Sequence, residues 1–440
     1  MRYDSIIETI GDTPLVRIAP QVHNIPNMDL YAKLESFNPF GSLKDRAAWN
    51  MVRPGLQEAV EQESQIVELS SGNTAKALAA IAGIHGVGFK SVTNRMKIPE
   101  IKELLLLLGA EIQELPGRTE CLDPTDSEDP LTLFHRSLHE PGSTHLHTDQ
   151  YFNERNPEAH EHGTGPEIIK DLDGRAPDWF ISGVGTAGSS TGVARALRER
   201  DPKVSVVGLV AEKSDFIPGI RNIDEVQEVG IFDPDTYGTI EKVSSDEAID
   251  GMLQLIRRCG ILAGPTGGAA YFGAVRHLRE IGPRLTEPAT AVFLVCDRVE
   301  SYLSYIRKRR PELLGRRPAN DPAPDVAPAA DAGEATTISV ADSRTWISEC
   351  RPVIVDMRSP YAYAALHIEG SLNIVDELFE ELVRAGLPFS KTQPVLLACP
   401  VGEKSLKYAA RLTRMGHPDV RSLEGGIIAW RDAGAPLVRE

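Results

Sequence analysis

Cysteine is scarce and poorly placed for bridging. The 440 residues hold only five, Cys121, Cys259, Cys296, Cys350 and Cys399, with no C-x-x-C pair. That odd, scattered set argues against a disulfide framework and a zinc site, and no metal centre is expected. Positive charge is also short: 47 Lys and Arg against 63 Asp and Glu leave a net charge of −16. Nucleic acid and anionic membranes are therefore excluded as main partners. No apolar run reaches the length of a membrane span, and Met1–Ile10 lacks the apolar core of a signal peptide, so a cytoplasmic protein is expected. The one cationic run, Arg307-Lys308-Arg309-Arg310, ends a helical stretch where cations suit the dipole, and reads as a solvated helix end.

What is present is enough apolar residue, 41%, to build more than one core in a chain of this length. Strand-like segments alternate with helical ones: Gln65–Leu69 before Thr74–Gly83, Trp179–Ser182 before Thr191–Arg200, then Val204–Ala211. The alternation predicts an α/β fold with a largely parallel sheet. It covers residues 1–310. Residues 311–335, with five prolines among alanines and aspartates, read as a linker. From 336 to 440 the alternation resumes, enough for one small further domain.

Three stretches stand out in the first part. In Ser36-Phe37-Asn38-Pro39-Phe40-Gly41-Ser42-Leu43-Lys44, turn residues precede a helix that Leu43 begins and Ser42 caps. Lys44 then sits in the first helical turn, where the dipole disfavours a second cation. A lysine held there is either depressed in pKa or tied up as an imine, or it is an ordinary surface lysine beside Asp45. The loop Ser70-Ser71-Gly72-Asn73-Thr74 joins a strand to a helix and offers N–H groups, hydroxyls and an amide suited to a carboxylate, or simply to a cap. Gly185-Thr186-Ala187-Gly188-Ser189 does the same with glycines that admit a phosphate. A weaker glycine-rich turn, Gly264-Pro265-Thr266-Gly267-Gly268, precedes another helix.

Taken with Ile10-Gly11-Asp12-Thr13-Pro14-Leu15 and Gly163-Thr164-Gly165-Pro166-Glu167, these segments resemble the cysteine synthase and cystathionine β-synthase family, pyridoxal-phosphate enzymes of fold type II. The resemblance covers about residues 4–308. It implies a two-subdomain α/β fold whose smaller, mobile subdomain spans about 36–150, a homodimer, and pyridoxal 5'-phosphate held by Lys44 as a Schiff base. Asn73 is implied to meet the ring hydroxyl, Gly185, Thr186, Ala187, Gly188 and Ser189 the phosphate, and Thr266 the pyridine nitrogen. Ser70, Ser71, Gly72, Thr74 and Gln150 are implied to bind the substrate carboxylate. A hydroxyl partner leaves the pyridine a weak electron sink, which favours β-elimination to an aminoacrylate followed by addition of a nucleophile. The family's phosphate loop usually reads Gly-Thr-Gly-Gly-Thr, so Ala187 and Ser189 are departures, as is Ser70 where threonine is usual. Gly219-Ile220-Arg221-Asn222 resembles the stretch that presents an arginine to the phosphate of O-phosphoserine; otherwise Arg221 is a surface partner of Asp224 or Glu225, and O-acetylserine is the substrate.

In the last hundred residues, Pro394–Ala398 reads as a buried strand that runs into a helix with Cys399 at the junction. Loop N–H groups and nearby Lys404 would favour a thiolate there, and a buried structural cysteine is the alternative. Val353–Arg358 with Leu366–Ser371, and Leu423–Trp430 with Ala433–Pro436, resemble the two ends of a rhodanese domain over about 337–438. The resemblance implies a persulfide on Cys399 within the loop Pro400, Val401, Gly402, Glu403, Lys404, Ser405. Lys404 stands where arginine is common, which leaves the donor, thiosulfate or a protein persulfide, open.

The expectation is a transferase that performs β-replacement on O-phosphoserine or O-acetylserine, giving cysteine or a related sulfur amino acid, with sulfur relayed from Cys399. The alternatives are an amine nucleophile, as in 2,3-diaminopropionate-type synthases, or a non-catalytic C-terminal module that regulates the synthase.

Overall fold

The computed structural model describes residues 2–93, 96–115, 130–138, 145–213, 215–227, 229–314, 336–386 and 388–439. Cys121 and the expected linker beyond Leu314 lie outside these residues. The chain forms two compact units divided near residue 319. Among the described residues no helix is long and apolar enough to cross a membrane.

In the first unit the strands are β1 (Leu15–Ile18), β2 (Met28–Lys33), β3 (Ile66–Leu69), β4 (Phe89–Thr93), β5 (Glu111–Glu114), β6 (Leu146–His147), β7 (Trp179–Gly183), β8 (Ser205–Ala211), β9 (Thr239–Val243) and β10 (Ala289–Leu294). Six of them form one sheet in the order β1-β2-β10-β7-β8-β9. Only the edge pair β1–β2 is antiparallel. The remaining four form a second, wholly parallel sheet in the order β5-β4-β3-β6.

The continuous apolar run of β10 is what burial on both faces demands. Ala291, Phe293 and Val295 enter one core, Val292, Leu294 and Cys296 the other, because successive side chains point to opposite faces. A third core lies between the small sheet and its helices, with Val52, Leu56 and Ala59 of the helix Lys44–Glu61 packed against Leu78 and Ile81 of Asn73–His85.

Helix ends differ by a few residues from the sequence expectation. The first of these helices starts at Lys44 rather than Leu43, although Ser42 Oγ does accept from Lys44 N at 3.2 Å. It also continues through Pro54 to Glu61, since burying Leu56 and Ala59 offsets the hydrogen bond that an interior proline removes. The helix Leu303–Arg309 ends in cations that are paired, not merely solvated: Arg309 meets Asp215 at 2.7 Å, and Arg310 meets Asp250 at 3.0 Å and Glu312 at 2.6 Å.

The second unit is one five-stranded parallel sheet of β11 (Thr336–Ile338), β12 (Val353–Asp356), β13 (Leu372–Asn373), β14 (Val395–Ala398) and β15 (Val420–Leu423), in the order β11-β15-β14-β12-β13. Here too the central strand divides two cores: Leu396 and Ala398 pack with Trp346 and Trp430, Val395 and Leu397 with Phe379 and Leu412. Cys399 continues the second set, so its side chain starts from a buried position.

Candidate active sites

Lys44 is placed by the segment ahead of it. Ser36 N and Leu43 N bond the carbonyls of Val295 and Cys296, at 3.1 and 2.9 Å, which ties the turn to the end of β10. Asp45 is buried and accepts from Phe40 N at 2.6 Å and Ser42 Oγ at 3.2 Å. Lys44 Nζ faces inward to Thr186 Oγ1, 3.0 Å away. Burial brings its ammonium down to about 8; Cys296 and Glu68 oppose the shift and Arg221 adds to it. Burial is thus the leading cause of a depression that the sequence alone attributes to the helix dipole. The surface-lysine alternative is excluded by the same geometry.

A cavity of about 650 Å³ opens over Lys44, within the range of about 300–1,000 Å³ usual for small-molecule sites. Its walls include the whole of Ser70-Ser71-Gly72-Asn73-Thr74, together with Gln150, Gly185, Thr186 and Arg221. Thr74 Oγ1 donates to Gln150 Oε1 at 2.7 Å, and Gln150 Nε2 donates to Leu69 O at 3.1 Å, so the amide braces the loop from behind. Asn73 Nδ2 donates to Asp297 Oδ2 at 2.6 Å and to Tyr302 Oη at 3.1 Å. Its Oδ1 is buried without a protein partner.

Gly185 to Ser189 link β7 to the helix Gly188–Arg200. A Cβ on Gly185 would lie 2.5 Å from Gly219 O, and one on Gly188 would lie 2.1 Å from Asn156 Oδ1, so both positions need glycine. Ala187 has φ of 59°, a left-handed conformation that costs a non-glycine residue roughly 1–2 kcal/mol. Gly185 and Thr186 reach the cavity wall, while Ala187, Gly188 and Ser189 stand behind it at the helix terminus. Thr266 lies in the first turn of the helix Pro265–Ile281, outside the cavity lining, and donates to Pro218 O at 2.5 Å.

Arg221 is buried rather than exposed at the surface. It lines the cavity, donates to Glu225 O at 3.0 Å and stacks over the Tyr151 ring at 5.1 Å.

Several residues of this site carry no local sequence signal. Asp297 and Tyr302 hold Asn73 from more than two hundred residues away. Burial pushes the Glu68 carboxyl up to about 7, against a hydrogen bond from Thr148 Oγ1. Two residues beyond Lys44, Arg46 is clamped between Glu35 (2.7 Å) and Glu167 (2.6 Å). Although no metal was expected, His135, His147 and Asp149 do bring possible ligand atoms within 4.8 Å of one another.

In the second unit, Cys399 Sγ sits in the turn between β14 and the helix Glu403–Arg414. Gly402 N and Ser405 N donate to it at 3.2 and 3.5 Å, and Ser405 Oγ lies at 3.4 Å. Gly402 has φ of 89°, a conformation open to glycine, and Val401 stands exposed at the tip. A Cβ on Gly426 would lie 2.2 Å from Cys399 O, so the loop and the Gly425-Gly426 turn fit only without side chains. Lys404 bonds Asp376. A cavity of about 710 Å³ lies beside the loop, with Pro400 and Lys404 in its wall.

These two sites define the class. The model of the "Pyridoxal-phosphate dependent enzyme" family matches residues 6–297, and that of the "Rhodanese-like domain" matches 339–433. The chain belongs to the pyridoxal-phosphate dependent enzyme family and carries a C-terminal rhodanese-like domain. Its cofactor is pyridoxal 5'-phosphate. Among curated proteins it is 35% identical to cysteine synthase B of Pseudomonas aeruginosa over 305 residues, which is 69% of this chain and 97% of that one. Among solved structures it is similar to a hydrogen sulfide-producing enzyme from Fusobacterium nucleatum (TM-score 0.60, 28% identity, 69% of this chain and 100% of that one). It is also similar to an O-acetylserine dependent cystathionine beta-synthase from Helicobacter pylori (TM-score 0.59, 27% identity, 69% and 98%).

Proposed function

We propose that the first unit performs β-replacement on an O-activated L-serine, with O-phosphoserine preferred to O-acetylserine, and that Cys399 of the second unit carries the incoming sulfur as a persulfide. The observation that carries the reading is the shared cavity: the half-buried amine of Lys44, the loop Ser70–Thr74, Gly185 and Thr186 beside a helix start, and buried Arg221 all line one space.

The residues present fit the cofactor. Asn73 Oδ1 is a buried acceptor in need of a donor, as a ring hydroxyl would be. The N-terminus of Gly188–Arg200, reached through Gly185 and Thr186, suits a phosphate. Bound there, pyridoxal phosphate supplies the electron sink for the substrate α-carbon. Lys44 Nζ, its pKa brought down to about 8 by burial, takes the proton from that carbon. Ser70, Ser71, Gly72 and Thr74 hold the carboxylate, with Gln150 bracing them. Arg221 meets the departing phosphate with charge-assisted bonds for which an acetyl group has no use.

In the second unit the thiolate of Cys399 attacks the sulfane sulfur of a donor. The new S–S bond forms as the donor's breaks, and the donor leaves with the electron pair. The N–H groups of Gly402 and Ser405 hold the sulfur in place. A small thiol then attacks the Cys399 sulfur, the persulfide S–S bond breaks with release of hydrosulfide, and a second such thiol reduces the resulting mixed disulfide and leaves as a disulfide; the hydrosulfide adds at the substrate β-carbon after the leaving group has departed.

The test supplies O-phosphoserine or O-acetylserine with either sulfide or a sulfane donor and a thiol, and measures cysteine formed. Cys399→Ser is expected to lower turnover from the sulfane donor at least about a hundredfold relative to turnover from sulfide. Equal losses, or none, overturn the relay. Higher kcat/KM for O-acetylserine than for O-phosphoserine overturns the leaving-group assignment.

A further inference from the structure

Away from Lys44 and Cys399, two imidazoles and a carboxylate gather at one edge of the four-stranded sheet. β6 is an edge strand of that sheet, and its last residue, His147, stands just ahead of Asp149 in the chain. The helix Pro130–Leu138 supplies His135. His135 Nε2 lies 3.5 Å from Asp149 Oδ1, and the His135 and His147 rings meet edge to face with centroids 5.4 Å apart. One ligand atom from each of the three falls within 4.8 Å of the others. A tetrahedral zinc ion with bonds of about 2.0–2.2 Å needs ligand atoms about 3.4 Å apart. The His135–Asp149 pair has that spacing, and the other two pairs exceed it by at most about 1.4 Å, within reach of side-chain rotation. The backbone beneath Asp149 is held firmly. Its φ is 52°, its carbonyl accepts from Phe152 N at 3.2 Å and Asn153 N at 2.9 Å, and Asn153 Nδ2 donates to Thr148 O at 2.8 Å. Phe152 also lies against the His135 ring, centroids 5.7 Å apart.

We infer that His135, His147 and Asp149 bind a zinc ion, which fastens the helix Pro130–Leu138 to the turn that carries Gln150. Imidazole suits zinc and its neighbours in the first transition row, whereas magnesium and calcium favour oxygen ligands alone. The scatter of cysteines bears only on thiolate sites. All three side chains already have contacts, and the ion replaces a proton rather than filling a vacancy. As the metal arrives, the proton that an imidazole shares with the carboxylate leaves to solvent. Ions can enter, since the side chains of His135 and Asp149 are 16% and 17% exposed. The three residues lie outside the lining of the Lys44 cavity. Asp149 nevertheless adjoins Gln150, whose amide braces the carboxylate loop through Thr74 and Leu69, so the ion supports that loop from behind.

The test strips the full-length holoenzyme of metal with a chelator and dialyses it against zinc. It reads bound zinc by elemental analysis and hydrogen exchange in a peptide spanning Pro130–Leu138. About one zinc per chain is expected. His135→Gln and Asp149→Asn are each expected to weaken its binding at least about tenfold, and Cys399→Ser is expected to leave it unchanged. Zinc at about ten times its Kd is expected to slow exchange of the helix about tenfold in the wild type, because opening must first release the ion. Magnesium is expected to leave that exchange unchanged. The exchange measurement needs no variant, so it decides the matter even where a substitution prevents folding. No bound zinc, binding as tight in both site variants as in the wild type, or zinc lost in Cys399→Ser overturns the inference. So does zinc bound without protection of the helix, or protection that magnesium reproduces.

Discussion

Glu167 offers the sharpest energetic test of the site's foundations. Its carboxylate accepts from Arg46 Nη1 at 2.6 Å and Nη2 at 2.7 Å, from Asp12 N at 3.0 Å and from Thr13 N at 3.3 Å, and it meets Lys33 Nζ at 3.0 Å. Burial alone would push its pKa up, but the bonds and charge of Arg46, with Lys33, outweigh that and hold it down at about 2, from an ordinary 4.5. A folded pKa below the unfolded one contributes stability that is full above the unfolded value and is lost as pH falls through the folded value. The difference corresponds to about 3 kcal/mol at pH 7, falling to about 2 at pH 3.5. Glu167→Gln removes that contribution without stranding a cation, because Arg46 keeps Glu35 at 2.7 Å and Lys33 keeps Asp171 at 3.1 Å. Urea unfolding read by hydrogen exchange of peptides from β2, β7 and β10 isolates the first unit from the second, which matters because a chain of two units need not unfold in one step. The variant is expected to lose about 3 kcal/mol at pH 7 and visibly less at pH 3.5. A loss below about 1 kcal/mol, or one equally large at both pH values, refutes the reasoning.

Lys44, with an ammonium brought to about 8, is expected to make cofactor uptake by the apoprotein accelerate through about pH 8; a rate still climbing only above about pH 9.5 would contradict burial as the cause. Arg221→Ala is expected to lower kcat/KM for O-phosphoserine about 10- to 100-fold and that for O-acetylserine less than about threefold, and equal losses count against the phosphate contact. Ala187→Gly relieves a left-handed alanine and is expected to stabilise the first unit by up to about 1 kcal/mol in the same exchange assay; a destabilised variant means that the methyl group packs better than the backbone strains. Arg46→Met, which takes the cation from buried Glu35 and leaves Glu167 with Lys33, is expected to cost about 3–5 kcal/mol, more than Glu167→Gln, and a smaller loss than in that variant would mean that the clamp is not what holds the turn before Lys44.

What the sequence revealed and what it hid divide along chain separation. The loops Ser70–Thr74, Gly185–Ser189 and Cys399–Ser405 all run from the end of a parallel strand into a helix of at least twelve residues. In each, the helix start leaves backbone N–H groups without intrahelical partners, and glycines or short polar residues stand at neighbouring positions. Such a pattern is written locally, which is why the α/β fold and these loops can be read from the amino-acid sequence alone. The groups that decide how the loops act are written elsewhere. Asn73 is oriented by Asp297 and Tyr302, Arg46 by Glu167, and Lys404 is neutralised by Asp376, at separations of 224, 229, 121 and 28 residues. Lys404 shows the consequence most plainly. Beside Cys399 in sequence it looks like a cation serving the sulfur, yet its ammonium is bonded to an acidic residue of a different helix. The chemistry available to a reactive atom is therefore legible from its loop, whereas the substrate that atom will accept depends on charges that only folding brings alongside it.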